Sequence, residues 1–382
     1  MSEKIIHVVV ATNEWEKDGL RYRRHRLAEF LNKQEMTEEV IWLCPSSSNY
    51  KGEFKLLGNG VKQYGLKDVL PNKAARFCRY NDSLFYSREL SKLSAYLTKK
   101  QGKKYVWYTF PGFPKVKELL KWEKVMYDCS DLWAAPIAGS KNIVTKLREG
   151  SILQAENQIL ERADVVYATS DYLGEKVLEK RKNAPVHVIE NGVEFEKFLN
   201  APPLTDSRLL EMKRPILGYI GGIKPKIDFS LIKEMALNHK QWNFVFIGPD
   251  ATNGDKVFKE IQQLPNVHSL GSIDPEEVPA YMKHLDAGIL PYKESIYNKA
   301  VFPLKLFEYL AVGVPIVGMG LPSTTKYEKE GLFYYAHTKA EFIENCEKAV
   351  SIRYEQEKAR ISYAEENDWD EKFGSMLHLA LK

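Results

Sequence analysis

The chain has 382 residues, of which 44% are hydrophobic and 28% are charged, and its formal net charge is +4. This composition excludes a disordered or fibrous chain, and the length predicts about two domains. No apolar run approaches the roughly 20 residues that a transmembrane helix needs, and the first residues lack the features of a signal peptide. We therefore expect a cytoplasmic protein whose scattered cysteines are reduced thiols.

The positive charge is concentrated in the first half of the chain. Residues 1–200 carry 33 Lys and Arg against 26 Asp and Glu, whereas residues 201–382 carry 22 against 25. The excess is largest in residues 61–130, where 15 basic residues stand against 6 acidic ones. Two interpretations remain open: a solvated face, or a face attracted to an anionic membrane surface or an acidic acceptor, since each Lys or Arg near anionic lipid contributes about 1 kcal/mol.

Short segments rich in Val, Ile and Tyr alternate with helical patterns along nearly the whole chain. Such alternation predicts βα units that build parallel sheets. The strands predicted in the first half are Ile5–Ala11, Val40–Leu43, Tyr105–Tyr108, Lys124–Tyr127, Val165–Ala168 and Val186–Ile189. Those predicted in the second half are Ile216–Ile220, Phe244–Ile247, Val267–Leu270, Gly288–Leu290, Ile316–Gly318 and Phe333–Tyr335. Two such series predict an α/β protein with two doubly wound, Rossmann-like domains.

A polar stretch with two prolines, residues 200–214, separates the two series. We place the boundary near residue 205, with an N-terminal domain of residues 1–205 and a C-terminal domain of residues 206–364. Two such domains facing each other create a cleft at the carboxyl ends of both sheets, where open α/β sheets bind ligands. The binding residues are therefore expected in the loops that follow the strands.

One helix of the second half begins near Pro303 and ends before Gly313, with Pro315 beyond it. Helix N termini bind phosphate through their free amides, and Lys305 in the first turn opposes the helix dipole unless an anion docks there. A carboxylate such as Glu308 can accept hydrogen bonds from two vicinal hydroxyls, as a ribose presents them. The proline and glycine alone are ordinary helix signals, but Lys305 and Glu308 favour a site for a nucleoside diphosphate.

This segment, PLKLFEYLAVGVPIV, resembles the donor-binding segment of GT-B glycosyltransferases, in particular the large retaining group similar to family 4. ERADVVYATSDYL and PVHVIENGVEFEKF resemble the end of their N-terminal domain and the stretch that leads into their interdomain linker. ILGYIGGIKPKIDFSLI and NVHSLGSIDPEEVPAYMKHLDAGILPY resemble their first glycine turn and their base-contacting loop. The resemblance covers residues 160–345 well and the N-terminal region more loosely. It implies a GT-B fold with a cleft between the domains, and a C-terminal helix, residues 365–382, that returns to the first domain.

The resemblance implies roles for individual residues of the C-terminal domain. It assigns the ribose to Glu308, and the diphosphate to the turn that begins at Pro303 and to Lys226, which would also stabilise the departing diphosphate. Lys305 is added on the helix-dipole argument alone. The other donor-binding residues that the resemblance implies form a glycine turn, the surroundings of the nucleobase and the start of the helix: Gly221, Gly222, Gly271, Ser272, Ile273 and Leu304.

One position departs from the family. Many members carry a second Glu eight residues before the first, where it contacts the sugar, and this chain has Ala300 there. Asn298, Lys299 or the backbone around Val301 would have to replace it. This departure leaves open whether the donor sugar is one of the usual glucose-type hexoses or a different sugar.

The acceptor is expected to bind to the N-terminal domain. Asp128 and Asp131 follow a predicted strand, together with Tyr127 and Trp133. Similar transferases carry a residue after this strand that touches the donor sugar or the acceptor. The alternative is that one of the two carboxylates only caps the next helix.

Basic residues follow the first strand. Gly19 fits the glycine-containing loop of the family at this point, and Arg23 and Arg24 lie in the early part of the next helix. These arginines would contact acceptor phosphate or lipid headgroups, or they would lie on a surface helix that has no such role.

The function that this resemblance implies is transfer of a hexose or uronic acid from a nucleoside diphosphate sugar, with UDP as the expected nucleotide, to a hydroxyl acceptor. The acceptor is expected to be a lipid-linked glycan of the bacterial cell envelope, as in teichuronic acid assembly, at the inner face of the cytoplasmic membrane. Retention of configuration needs no protein base, whereas inversion would make Asp128 or Asp131 the base.

No cofactor, metal or nucleic-acid partner is expected. Asp368 and Asp370 fit the DxD pattern of metal-dependent transferases only superficially, because they lie at a helix start rather than a strand end. A sugar-nucleotide epimerase of the same fold and a non-catalytic sugar-nucleotide-binding scaffold remain alternatives. A dinucleotide-dependent dehydrogenase is disfavoured because no GxGxxG follows the first strand.

Overall fold

The computed structural model describes residues 3–18, 21–46, 53–68, 77–134 and 143–382. The chain divides into two compact units, the first made of Met1–Glu190 and Phe373–Lys382 and the second of Asn191–Lys372. Within the described ranges, every helix falls short of the length or the apolar content that crossing a bilayer requires.

The unit boundary lies earlier in the chain than the sequence prediction near residue 205. Val193, Phe195 and Phe198 are buried in the hydrophobic core of the second unit, so the stretch after Glu190 packs with that unit. The C-terminal segment 365–382 was predicted to return to the first domain as a whole. Only the part from Phe373 onward belongs to the first unit.

The first unit contains, among its described residues, an eight-stranded sheet in the order β3-β4-β2-β1-β5-β6-β7-β8. All neighbouring strands are parallel except β3 and β4, which are antiparallel. The strands are β1 Ile5–Val10, β2 Thr37–Ser46, β3 Phe54–Leu56, β4 Lys62–Lys67, β5 Lys103–Tyr108, β6 Lys124–Cys129, β7 Val165–Ala168 and β8 Val186–Val188. Its α-helices are α1 Arg23–Lys33, α2 Asp82–Phe85, α3 Ser87–Thr98, α4 Ile143–Arg162 and α5 Asp171–Lys180, with 3₁₀ turns at Trp15–Asp18 and Pro114–Glu118.

The second unit, all of which is described, has a six-stranded parallel sheet in the order β11-β10-β9-β12-β13-β14. Its strands are β9 Ile216–Ile220, β10 Asn243–Ile247, β11 Val267–Gly271, β12 Ala287–Pro291, β13 Ile316–Met319 and β14 Phe333–Ala336. Its helices are α6 Phe195–Leu199, α7 Ser207–Leu210, α8 Phe229–Asn238, α9 Lys256–Ile261, α10 Val278–Lys283, α11 Ile296–Ala300, α12 Lys305–Ala311, α13 Lys339–Ser351 and α14 Glu357–Glu365. A 3₁₀ turn covers Pro322–Tyr327, and α15 Trp369–Leu381 begins in this unit and ends in the first.

Each sheet has a point at which the strand order reverses. In the second unit β9 lies between β10 and β12, so the chain winds outward in both directions from β9. Ligands of doubly wound sheets bind in the crevice outside the carboxyl ends of the strands at such a switch point. The loops after β9 and β12 are therefore the favoured position for a ligand in this unit.

All twelve strands predicted from the sequence are present, and most of them are short apolar runs that a parallel sheet buries on both faces. The edge strands β8 and β11 are less buried. The sequence did not predict β3 and β4. The β4 sequence, KQYGLK, has charged ends and a central glycine, so it lacks the apolar run, yet Tyr64 and Leu66 are buried in the sheet.

Candidate active site

The turn after β9 lies at the switch point and closely approaches a lysine of α12. Gly221 has φ +128°, a backbone conformation that residues with a side chain rarely adopt. A Cβ atom at this position would lie 2.5 Å from Cε and 2.6 Å from Nζ of Lys305. The Lys305 side chain therefore lies directly against the glycine turn. Gly222, which follows Gly221 in this turn, also presents only backbone to the solvent.

Two lysines lie over a pair of neighbouring tyrosine rings. Lys305 Nζ is 5.2 Å from the ring centroid of Tyr219, and Lys226 Nζ is 4.5 Å from that of Tyr292. The two tyrosine hydroxyls are 3.2 Å apart. Burial raises the pKa of both hydroxyls above their usual range, so the rings stay neutral and the two ammonium groups give the end of the sheet a positive charge.

Glu308 lies one turn after Lys305, on the same short helix. Its carboxylate is half-buried, and its charge adds to the effect of burial in raising the pKa of the neighbouring Tyr309. Its backbone amide donates to Leu304 O at 3.4 Å. Helix α12 thus presents a positive and a negative side chain near the glycine turn.

The chain before α12 is fixed by side chains from elsewhere in the second unit. Asn191 Nδ2 donates to Phe302 O at 2.8 Å, and Ser323 Oγ donates to Val301 O at 2.5 Å. Pro303 is buried, Leu304 is half-buried, and no side chain caps the helix. The amides of the first turn of a helix lack acceptors within the helix, so this end keeps a partial positive charge.

Gly271, Ser272 and Ile273 lie at the end of the edge strand β11. Gly271 has φ +78° and is exposed, its carbonyl accepts a hydrogen bond from Gly248 N at 2.8 Å, and Ser272 is exposed beside it. Ile273 is half-buried against the hydrophobic core. With β10 between β11 and β9, these residues lie about 10 Å from the glycine turn across the sheet.

The surroundings of Ala300 show which of its expected substitutes are accessible. Ala300 and Asn298 are both buried, and Asn298 Nδ2 donates to Lys293 O at 2.8 Å. The Val301 carbonyl is taken by Ser323, as described above. Of the expected substitutes, Lys299 is the one whose side chain is exposed.

In the first unit, two of the expected acceptor residues pair with each other. Arg23 Nε donates to both carboxylate oxygens of Asp128, at 3.1 and 2.9 Å. Arg23 is 6% exposed and Asp128 is 1% exposed. Burial and mutual pairing separate both groups from solvent in this structure, and the expectation that Asp128 acts as a base and Arg23 contacts the acceptor stays a prediction.

The remaining expected residues of the first unit have different surroundings. Tyr127 is fully buried and its hydroxyl donates to Glu156 Oε1 at 2.7 Å, so it is a core residue rather than an acceptor contact. Asp131 and Trp133 are half-buried, and Asp131 Oδ1 accepts from Leu132 N at 2.8 Å.

Arg24 is half-buried, with its guanidinium 4.5 Å from the centroid of the Tyr22 ring. Gly19 lies outside the described residues.

Asp368 has the capping role that its place at a helix start predicts. Its carboxylate accepts from Phe195 N at 3.0 Å and from Asp370 N at 2.7 Å. The first aspartate of the DxD pattern therefore joins the start of α15 to α6.

Sequence reasoning missed the residues that hold this site together. Tyr309, Tyr219 and Tyr292 are each buried and join α12, β9 and β12 through their rings and hydroxyls. Gly248 was also missed: it has φ +137°, and a Cβ there would lie 2.3 Å from Gly221 O. The available signal was the repetition of glycines, directly after β9 and β10 and at the last residue of β11.

Comparison with known proteins gives this arrangement a family. Residues 214–351, which contain the glycine turn and α12, match the family described as Glycosyl transferases group 1. The chain is 49% identical over 379 residues, covering 96% of this chain and 95% of the relative, to TuaH of Bacillus subtilis (strain 168), which is assigned to teichuronic acid biosynthesis as a glycosyltransferase.

Two solved structures share the fold. Sucrose-phosphate synthase from Thermosynechococcus elongatus has a TM-score of 0.71 at 15% identity, over 98% of each chain. Alr3699/HepE of Anabaena, solved with UDP and glucose, has a TM-score of 0.68 at 13% identity, over 99% of each chain. The two parallel-sheet units and the identity to TuaH agree, and the chain therefore belongs to the GT-B glycosyltransferases, in the family of TuaH.

Proposed function

We propose that this glycosyltransferase moves a hexose or uronic acid from a UDP sugar to a hydroxyl group of a lipid-linked glycan of the bacterial cell envelope. The observation that carries the donor side of this proposal is the position of the Lys305 ammonium group against the Gly221 turn, at the switch point of the second sheet. The relative TuaH, named for teichuronic acid biosynthesis, and the UDP in the HepE structure support the choice of acceptor class and nucleotide.

In this proposal the donor lies along the carboxyl ends of β9 to β11. Glu308 accepts hydrogen bonds from the two ribose hydroxyls, and Lys305, Lys226 and the amides that follow Pro303 bind the diphosphate. The glycine turn of Gly221 and Gly222 lets the phosphates approach the backbone. The base lies toward Gly271, Ser272 and Ile273, and Leu304 lies at the helix start beside the phosphates.

The transfer step exchanges one carbon–oxygen bond for another. The acceptor hydroxyl oxygen bonds to the anomeric carbon of the sugar, the bond from that carbon to the diphosphate breaks, and the electron pair leaves with UDP. We propose retention of configuration, with the acceptor proton passing to an oxygen of the departing diphosphate. On an inverting route, Asp131 would take the proton, since Asp128 is buried in an ion pair.

The negative charge that develops on the departing diphosphate is stabilised by Lys305, Lys226 and the start of α12. Preorganised charges of this kind stabilise a transition state without reorganising during the reaction. The proposal therefore includes no metal ion and no cofactor. Transferase activity that survives EDTA supports it, and activity restored only by Mg²⁺ or Mn²⁺ would contradict it.

The acceptor side of the proposal rests on the first unit. Asp131, Trp133 and Arg24 are the expected residues there that keep partial exposure. We also propose that this unit binds the inner face of the cytoplasmic membrane, since Arg88, Lys92 and Lys99 are exposed on and directly after α3. Co-sedimentation with liposomes that rises with the fraction of anionic lipid and falls with salt tests this step.

A screen of nucleotides and nucleotide sugars tests the proposed function. A ligand that binds only the folded state raises the melting temperature, so UDP and one UDP sugar should do so at concentrations where GDP and ADP have no effect. That sugar should then be transferred to a lipid-linked acceptor, with release of UDP. Conversion of the donor to an epimer would support the epimerase instead, and binding with neither reaction would support the scaffold.

A further inference from the structure

We propose that Tyr309 is a positioning residue of the donor site, which sets the position of α12 relative to the turn after β9. The inference rests on the donor site proposed above and names a residue that holds its two halves in register. It is carried by one buried hydroxyl group and by the glycine on which the tyrosine ring lies.

The hydroxyl of Tyr309 bridges two backbone groups of β9. It donates to Gly218 O at 2.9 Å and accepts from Ile220 N at 3.0 Å. Tyr309 is fully buried, and burial raises the pKa of its hydroxyl well above the usual value, so the group stays protonated and makes both bonds.

The Tyr309 ring lies on a strand position that has no side chain. A Cβ atom at Gly288 would lie 2.7 Å from Cγ of the ring. The ladder between β9 and β12 pairs Leu217 with Ala287 and Gly218 with Gly288. After that pair, Ile220 N donates to the Tyr309 hydroxyl instead of to a backbone group of β12. On this side of β9, the end of the strand is therefore bound to α12.

This contact connects the two parts of the proposed donor site. Helix α12 carries Lys305 and Glu308, and β9 leads directly into Gly221 and Gly222. A ligand that binds both parts requires them to be held within about 0.5 Å of the productive geometry. Of the donor groups, the diphosphate needs both the turn and the helix, whereas the ribose needs only the helix.

The variant Tyr309→Phe removes the hydroxyl and keeps the ring. A matched control is Tyr281→Phe, because Tyr281 is also buried in the second unit and its hydroxyl donates to Asp206 Oδ2 at 2.8 Å. We expect Tyr309→Phe to weaken UDP binding about tenfold, because the phosphate contacts of the turn and of α12 are then no longer held in register. Uridine, which lacks the diphosphate, should lose less than about threefold, and Tyr281→Phe should alter neither affinity.

A second variant keeps the test decisive if the first one unfolds. In Gly288→Ala the added methyl group pushes the Tyr309 ring away from β12, and the same selective loss of UDP over uridine is expected. In kinetics, either variant should raise KM for the donor more than it lowers kcat.

Four results would separate the possible failures. Equal losses for UDP and uridine, or UDP affinity as in the wild type, would overturn the role of Tyr309 while leaving the donor site in place. Wild-type protein that fails to bind UDP, or Glu308→Gln that binds it normally, would remove the proposed donor site and this inference with it.

Discussion

Arg23 and Asp128 form a buried ion pair at the carboxyl end of the first sheet, with Arg23 Nε 2.9 Å from Asp128 Oδ2. The same guanidinium donates to Glu190 O at 2.9 Å and to Met376 Sδ at 3.1 Å. Glu190 is the last residue of the first stretch of this unit, and Met376 belongs to the C-terminal stretch that completes it. The pair therefore fixes both ends of the first unit where the chain leaves and re-enters it.

Breaking this pair should destabilise the first unit strongly. Arg23→Met leaves the Asp128 carboxylate buried without its charged partner, a loss that costs about 3–5 kcal/mol in other proteins. Urea unfolding followed by tryptophan fluorescence measures the change. Lys176→Met, which removes an exposed ion pair with Glu179, should leave the midpoint unchanged. A midpoint for Arg23→Met equal to that of the wild type would contradict the role given to the pair.

A buried histidine predicts how stability depends on pH. His7 is fully buried in β1, its Nδ1 accepts from Trp107 Nε1 at 3.1 Å, and burial lowers its pKa to about 3. In the unfolded chain its pKa is about 6.5, so between these values the unfolded state binds a proton that the folded state does not. The contribution of His7 to the free energy of unfolding should therefore be constant above pH ~6.5. Below that pH it should fall by up to ~1.4 kcal/mol for each pH unit.

The variant that tests this contribution is His7→Gln, which cannot bind the proton. The free energy of unfolding, measured with urea at several pH values between 4 and 7, should change less steeply with pH in the variant than in the wild type. The same slope in both proteins would show that other groups cause the acid sensitivity.

The contact between Gly221 and Lys305 predicts a non-additive pair of variants. Gly221→Ala strains the backbone at φ +128° and pushes the Lys305 ammonium group aside, and Lys305→Ala removes that group altogether. Each single variant should weaken UDP binding by about tenfold, because each loses the same charge-assisted contact with the phosphates. In the double variant the losses should be clearly less than additive by calorimetry, whereas additive losses would indicate that the two residues act separately.

The sequence predicted the parts of the molecule that depend on local patterns. The apolar runs predicted the strands of both sheets that are buried on both faces, and Pro303 and Gly313 predicted the limits of α12 to within two residues. The boundary near residue 205 differed from the observed one because Phe195 and Phe198, which follow the first series of strands, pack into the second core.

The side-chain partners of the candidate site depended on distant contacts and could not be predicted. The sequence predicts Asp128 directly after a strand, as a catalytic carboxylate would lie, whereas it belongs to β6, and only the fold brings Arg23, 105 residues earlier, beside it. In the same way, sequence reasoning did not single out Tyr309, because the sequence does not show that Gly288 leaves room for its ring.

Binding of UDP to the wild type and to Glu308→Gln, compared by calorimetry, tests the proposed donor site most directly. Glutamine keeps the size of the side chain but accepts hydrogen bonds through one neutral oxygen, so the ribose should lose its charged, bidentate partner. We predict that the affinity for UDP falls at least tenfold in Glu308→Gln while the melting temperature without ligand stays within about 2 °C of the wild type. Equal affinities in two equally stable proteins would contradict the assignment of α12 as the donor site.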